Sequence, residues 1–257
     1  MKNTADVSAH FKMLHKRCRK YLILFCADKK PEDLHRLRVT IKRMNALFNL
    51  LSKTEKKFKQ TKYYKPYRKI FKAAGRIREA QLHLLILKNK EKQTVASFKE
   101  TIQTETQALI TNSRRYIRAI ESIADKIEKT AWRVSKGDVT KYLQKERKGL
   151  LHSMFVLSAP SALHPLRKKI KRLLYNYELT KGTGTKKAKT LIYNLDILQQ
   201  DIGLWHDKEV LLKQLEESSP MSGQRRVINK SAEKKLTEIE LGLSLLRKQL
   251  YNTATKN

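Results

Sequence analysis

Residues 34–51 carry apolar side chains at Leu34, Leu37, Ile41, Met44, Phe48 and Leu51, and residues 163–179 carry them at Leu163, Leu166, Ile170, Leu173, Leu174 and Tyr177. Steps of three and four place such residues on one stripe of an α-helix, and the stripe has to be buried against a neighbour. Little elsewhere interrupts helices, since 257 residues include only 8 Gly and 5 Pro and long segments lack both. The chain therefore predicts an all-α fold of long helices joined by short loops. Breaks are expected at ADKKPED (27–33), KTEKK (53–57), SAPSA (158–162), KGTGTKK (181–187) and ESSPMSG (217–223). Pro31 and Pro160-Ser161 are start signals for the two striped helices. Pro165 has to lie in a first turn, where a missing N–H does little harm. KGTGTKK lacks the phosphate-loop spacing and follows a helix, not a strand, so it reads as a connection.

The two striped segments also share a decapeptide. LHRLRVTIKR (34–43) returns half a chain later as LHPLRKKIKR (163–172), with Leu, His, Leu, Arg, Ile, Lys and Arg in the same places. YRKIFKAAGRIREAQLHLL (67–85) and LDILQQDIGLWHDKEVLL (195–212) continue the repeat at the same offset less one position, aligning Gly75 with Gly203 and Arg78-Glu79 with His206-Asp207. A period of this length predicts a duplicated helical unit and excludes a short-period solenoid. The expected architecture is two pseudo-symmetric antiparallel helical bundles, about 8–130 and 131–250, within one domain spanning 8–250.

Charge narrows the partner. The formal net charge is +33, and residues 1–100 hold 27 Lys/Arg against 8 Asp/Glu while residues 101–257 hold 30 against 16. Positive charge spread through the chain opposes compaction, so its retention points to a polyanion: nucleic acid, an anionic membrane or polymeric phosphate. The longest apolar run, YLILFCA (21–27), is far short of a membrane span. The N-terminal stretch MKNTADVSAHFKML has no apolar signal core. Cys18 and Cys26 lie two turns apart in one helical segment. That separation, roughly 12 Å along the axis, is beyond disulfide reach. Free thiols and no signal core lead to the expectation of a soluble cytoplasmic protein.

On a helical wheel the first decapeptide separates into an apolar stripe and a ridge of His35, Arg38 and Lys42, with Arg43 on the other side of His35. The second places His164, Arg167 and Lys171 equivalently, flanked by Lys168 and Arg172. Both ridges begin near a helix N-terminus, where the dipole and free N–H groups favour an anion. Arg supplies a planar fork for phosphate oxygens and Lys a mobile point charge. Any one of these cations reads most simply as a solvated surface residue. Their recurrence as a set, with His reused, is what marks an anion-binding surface. A further stripe of Lys65, Lys69, Lys72 and Arg76, with Arg68 at its edge, would widen it. Arg78 projects toward Phe71 and Ala74, so it is expected to be partly buried and paired with a carboxylate, and Asp207 to be a local cap or ion-pair partner.

No H-E-x-x-H motif or Cys/His cluster occurs among the seven His and two Cys, so neither a metal nor any other cofactor is expected. Neither paired carboxylates in the repeats nor a nucleophile–base motif points to catalysis. Hydrolysis of phosphate would also call for acidic metal ligands, and a non-enzymatic protein is expected.

L-H-x-L-R-x-x-I-K-R, present twice and each time followed by Gly-x-x-(Arg/His)-(Glu/Asp), resembles the pattern of the CHAD family, the conserved-histidine α-helical domain. The resemblance covers roughly residues 8–250. It implies two helical bundles related by a pseudo-twofold axis, with a basic surface or central cavity that binds inorganic polyphosphate and an association with polyphosphate granules. By matching positions it implies polyphosphate contacts from His35, Arg38, Lys42, Arg43, His164, Arg167, Lys171 and Arg172. Glu79 stands where the family commonly has Asp, and Pro165 is a second departure. No segment resembling the triphosphate-processing CYTH domain, to which some members are fused, is left over. Nucleic acid is the alternative partner. Single strands would call for aromatics interleaved with the basic ridge, of which Tyr175 is the one convincing case, and duplex binding for a recognition helix.

Overall fold

The computed structural model describes residues 7–87, 92–128, 134–157, 159–180, 186–218 and 223–254. Among them are α1 (Val7–Asp28), α2 (Pro31–Thr54), α3 (Gln60–Leu87), α4 (Lys92–Thr111), α5 (Ser113–Glu128), α6 (Lys136–Phe155), α7 (Leu163–Tyr177), α8 (Lys186–Ser218) and α9 (Gly223–Ala254). Single 3₁₀ turns at Pro160–Ala162 and Glu178–Thr180 bracket α7. The fold is all-α, as the periodicity predicts.

Two compact units divide the chain at Val139/Thr140, near the start of α6. In the first, α1 to α5 enclose a core built from the stripes read above. Leu34, Leu37, Ile41, Met44, Phe48 and Leu51 of α2 are all fully buried. They meet Phe11, Leu14, Cys18, Leu22 and Phe25 of α1 and Tyr67, Ile70, Ala74 and Ile77 of α3. Each such aliphatic or aromatic side chain stabilises the fold by about 1.5–3 kcal/mol relative to exposure. Phe48 is the hub, with ring centroids 6.0 Å from Phe11, 5.3 Å from Phe58 and 5.9 Å from Tyr67. Tyr67 brings its hydroxyl within 3.0 Å of His15 Nδ1, satisfying the one polar atom of a buried ring. Both cysteines lie on α1 as free thiols, and burial pushes the Cys18 thiol up to about 12.

Helix ends follow local chemistry. Pro31 occupies the first turn of α2, where Glu32 and Asp33 favour the positive end of the dipole. Lys29, just past α1, takes φ 55°, and its N–H bonds Phe25 O at 2.8 Å in the left-handed cap that glycine usually provides. The break at 112 has no Gly or Pro. Asn112 makes it by turning its side-chain amide onto Ala108 O at 2.9 Å, and α5 restarts at Ser113.

The second unit is built from α7, α8, α9 and most of α6. Leu163, Leu166, Ile170 and Leu173 of α7 are buried toward α8, whose Leu195, Leu198, Ile202 and Trp205 are buried too, and α8 packs in turn on α9, which buries Ile239, Leu243 and Leu246. Pro165 lies in the first turn of α7, as its missing N–H requires. The α6 end is held from α9, where Arg247 donates through Nε (3.0 Å) and Nη2 to Met154 O, a carbonyl that the helix itself leaves open. The connection read at 181–187 falls mostly on residues 181–185, outside the described residues, as do 219–222 of the break before α9.

Candidate anion-binding ridges

In the first unit Arg38 leaves α2 and reaches across to α3. Its Nη1 donates to Phe71 O at 2.9 Å, and its Cζ lies 4.3 Å from the centre of the Phe71 ring. One turn further along α3 is Gly75. A Cβ there would stand 2.7 Å from Arg38 Nη1, so the guanidinium rests on a helix face that only glycine leaves open. Lys42 follows on the next turn of α2, its Nζ 5.7 Å from the same ring. Burial lowers the Arg38 pKa, Glu79 opposes that shift and Arg78 adds to it. A guanidinium stays charged nonetheless.

The second unit repeats the contact. Arg167 of α7 donates through Nε to Gln199 O on α8 at 2.9 Å, and a Cβ on Gly203 would stand 2.7 Å from Arg167 Cζ. Phe71 and Gln199, Gly75 and Gly203, and Glu79 and Asp207 are pairs at one common offset, so one arginine, one carbonyl, one glycine and one acid recur in register. The surroundings differ. His164 lies against His206 with ring centroids 4.3 Å apart, where the first unit has His35 exposed and Arg78 in place of His206. Burial lowers the His206 pKa, Asp207 opposes it, and Arg167 and Lys168 reinforce it. Lys171 is half-buried and its pKa is pushed down to about 8 by burial and by Arg167, against the pull of Asp196 and Asp207.

The remaining candidates divide into committed and open cations. Arg172 is held by Glu146 of α6, with Nε and Nη2 at 2.7 and 2.6 Å from Oε2. Arg76 bonds Glu105 at 2.6 Å. Arg43 is half-buried on α2. Lys168 is exposed on α7. Lys65, Arg68, Lys69 and Lys72 are exposed along α3, and among the described residues none of them makes an ion pair or a hydrogen bond. Arg78 is half-buried as expected, but it makes no ion pair among the described residues; its neighbour across the helix contact is the like-charged Arg38. Asp207 acts through its charge on Arg167, Lys171 and His206. Among the described residues no three His, Cys, Asp or Glu side chains are grouped to hold a metal ion, and no helix is long and apolar enough to cross a membrane.

Sequence reasoning placed the ridges but not what sits beneath them. Phe71 and Gln199 contribute backbone carbonyls, which no side-chain pattern advertises. The aligned glycines were the legible trace of this contact, since a glycine kept inside a helix points to close approach of another group.

Comparison with known proteins agrees with this architecture. No curated protein matches the chain. Of solved structures, the crystal structure of the CHAD domain from the plant Ricinus communis superposes with a TM-score of 0.73 at 15% identity, covering 97% of this chain and 92% of that one. PptA from Streptomyces chartreusis superposes with a TM-score of 0.57 at 12% identity, covering 97% and 99%. At such identities the likeness is one of fold. The CHAD domain family model matches residues 9–216, a span that contains both arginine–glycine contacts. By that match, and by the helical fold that carries it, the chain belongs to the CHAD domain family.

Proposed function

We propose that this protein binds inorganic polyphosphate through the cationic ridges of α2 and α7, as a binding module that performs no hydrolysis. The observation that carries the reading is the repeated seat of Arg38 on Gly75 and Arg167 on Gly203. In both units it fixes a guanidinium at the foot of a ridge whose next cation, Lys42 or Lys171, lies one turn along the same helix. A chain of phosphates offers closely spaced negative charge and no bases, so it rewards dense cations and asks nothing of stacking aromatics. The composition supports this, with 57 Lys/Arg, 24 Asp/Glu and only 7% aromatic residues. Soluble, granule-associated function in the cytoplasm accords with such a ligand and belongs to the same proposal.

Nucleic acid is the competing polyanion, and competition separates the two. Labelled long-chain polyphosphate is titrated with the protein at about 0.15 M salt, where exposed charges more than a Debye length apart are largely screened. Single- and double-stranded DNA are then added at equal phosphate concentration. Polyphosphate is expected to displace the probe far better than either DNA. Equal displacement would reduce the protein to a general polyanion binder. Phosphate release in the presence of Mg²⁺ or Mn²⁺ would overturn the non-catalytic part of the reading.

A further inference from the structure

The arginine–glycine contacts set a register between α3 and α8 that can be followed outward from the seam. On a helical wheel Arg68, Lys72, Lys65, Arg76 and Lys69 follow Phe71 and Gly75 around α3 within about 100° of arc, away from core residues Ile70, Ala74 and Ile77. They run for roughly 17 Å of helix. Counted from Gly203 as these are from Gly75, the same five positions of α8 are Asp196, Gln200, Tyr193, Leu204 and Ile197. The formal charge of the stripe is +5 on α3 and −1 on α8, a difference of six between equivalent surfaces. Nor does α8 hide these residues: Tyr193 is 66% exposed, Ile197 42% and Leu204 53%.

We infer that the two units are unequal partners for the polyanion, with the open lysines Lys65, Lys69 and Lys72 of α3 extending the binding surface in the first unit and no equivalent extension in the second. This rests on the proposed polyphosphate binding and adds to it a direction along the chain. A phosphate chain seated on the α2 ridge meets Arg38 beside the Phe71–Gly75 edge of α3 and continues onto three exposed lysines that make no ion pair among the described residues. On α7 the corresponding path runs past Lys171 into the carboxylate of Asp196 and then an apolar face, which offers a polyanion nothing. Arg76, bonded to Glu105, marks the far end of the open stretch.

The test compares three variants of the full chain by titration with labelled long-chain polyphosphate over a series of salt concentrations. Lys65→Gln/Lys69→Gln/Lys72→Gln removes the open stripe while preserving helix propensity. Lys16→Gln/Arg17→Gln/Lys20→Gln removes the same charge from the exposed side of α1, opposite its buried Leu14, Cys18 and Leu22. Tyr193→Lys/Ile197→Lys/Gln200→Lys writes the α3 pattern onto α8. The α3 variant is expected to lose roughly 10- to 100-fold in affinity and about two in the slope of log K against log salt, since each neutralised phosphate contributes about 0.7–0.9. The α1 variant should lose under about threefold with an unchanged slope. The α8 variant should gain affinity and slope. Equal losses in the α1 and α3 variants would show that bulk charge alone matters and overturn the inference, as would an α8 variant indistinguishable from wild type. A wild-type protein that fails to bind the probe overturns the polyphosphate reading itself.

Discussion

Arg167 lies closer to Gly203 than Arg38 does to Gly75, and the difference separates two otherwise equivalent positions. A Cβ on Gly203 would meet Arg167 Cζ at 2.7 Å and Nε at 3.0 Å, whereas a Cβ on Gly75 would meet Nη1 at 2.7 Å with Cζ still 3.7 Å away. Either displacement strains a donor, Nη1 from Phe71 O or Nε from Gln199 O, but at Gly75 one terminal nitrogen is crowded, whereas at Gly203 Cζ and Nε are crowded as well and the whole guanidinium has to move.

Alanine at these glycines is therefore expected to act unequally. Replacing Gly by Ala inside a helix favours the folded state by about 1 kcal/mol through propensity alone. At Gly75 the gain offsets part of the cost of shifting Arg38 Nη1 from Phe71 O, leaving a net loss of about 1 kcal/mol. At Gly203 overpacking of about 1–3 kcal/mol, together with a lost charged hydrogen bond, exceeds the gain. Urea unfolding midpoints of the two variants check this, and Gly203→Ala should also weaken polyphosphate binding by displacing Arg167.

Lys171 makes the second unit sensitive to pH. Its pKa falls from an ordinary 10.5 to about 8, so burial disfavours the ammonium in the folded protein. Below pH 8 that unfavourable contribution is fully present; between about 8 and 10.5 the unfolded chain binds the proton that the native one has released, so stability rises with pH. Binding has the opposite sign, because a polyanion favours the ammonium. Affinity is expected to fall as pH rises from about 7 to 9, with proton uptake on binding near pH 8 to 9. Calorimetry in buffers of different ionisation enthalpy measures the uptake. In Lys171→Arg, whose guanidinium does not titrate in this range, both effects should vanish.

Much of this architecture is legible in the chain, and the illegible part has a physical pattern. Periodicity placed α2 and α7 because Leu34, Leu37 and Ile41, like Leu163, Leu166 and Ile170, had to be buried together. It could not show that Arg38 and Arg167 lean inward onto α3 and α8. A wheel gives the direction of Cα–Cβ, while a long side chain ends where it finds an acceptor, here a backbone carbonyl on the following helix. Glu146 and Arg172 lie on different helices, so no local spacing announces their ion pair. Asn112 breaks a helix with a side-chain bond, not with Gly or Pro, and the α4–α5 boundary carried no signal for that reason.

That ion pair sets Arg172 apart from the other cations of the repeat. Its side chain is 34% exposed and Glu146 18%, so solvent screens the pair only in part. Arg172→Ala is expected to cost about 1 kcal/mol of stability and to change polyphosphate affinity by under about threefold, because the guanidinium is already occupied. Glu146→Gln releases it and should raise affinity with a steeper salt dependence. If Arg172→Ala instead abolishes binding at unchanged stability, the arginine is a ligand that exchanges its carboxylate for phosphate.

Arg247 ties the end of α6 to α9, a helix that lies beyond residue 216, where the family match stops. Its guanidinium donates twice to Met154 O and lies 5.9 Å from the Phe155 ring centre, covering part of an otherwise exposed aromatic. Hydrogen bonds from a charged donor contribute about 1.5–3 kcal/mol, and a partly exposed cation–π contact about 0.5–1 kcal/mol. Arg247→Ala should therefore destabilise the second unit by about 2 kcal/mol, with the loss focused on the last turn of α6. Hydrogen exchange resolves this: amides of residues 151–155 are expected to lose protection while those of α2 in the first unit keep theirs. Arg247→Lys retains the charge but not the fork and should recover less than half of the loss. Full recovery by lysine would show that charge near the helix end, and not the paired donation to Met154 O, is what holds α6.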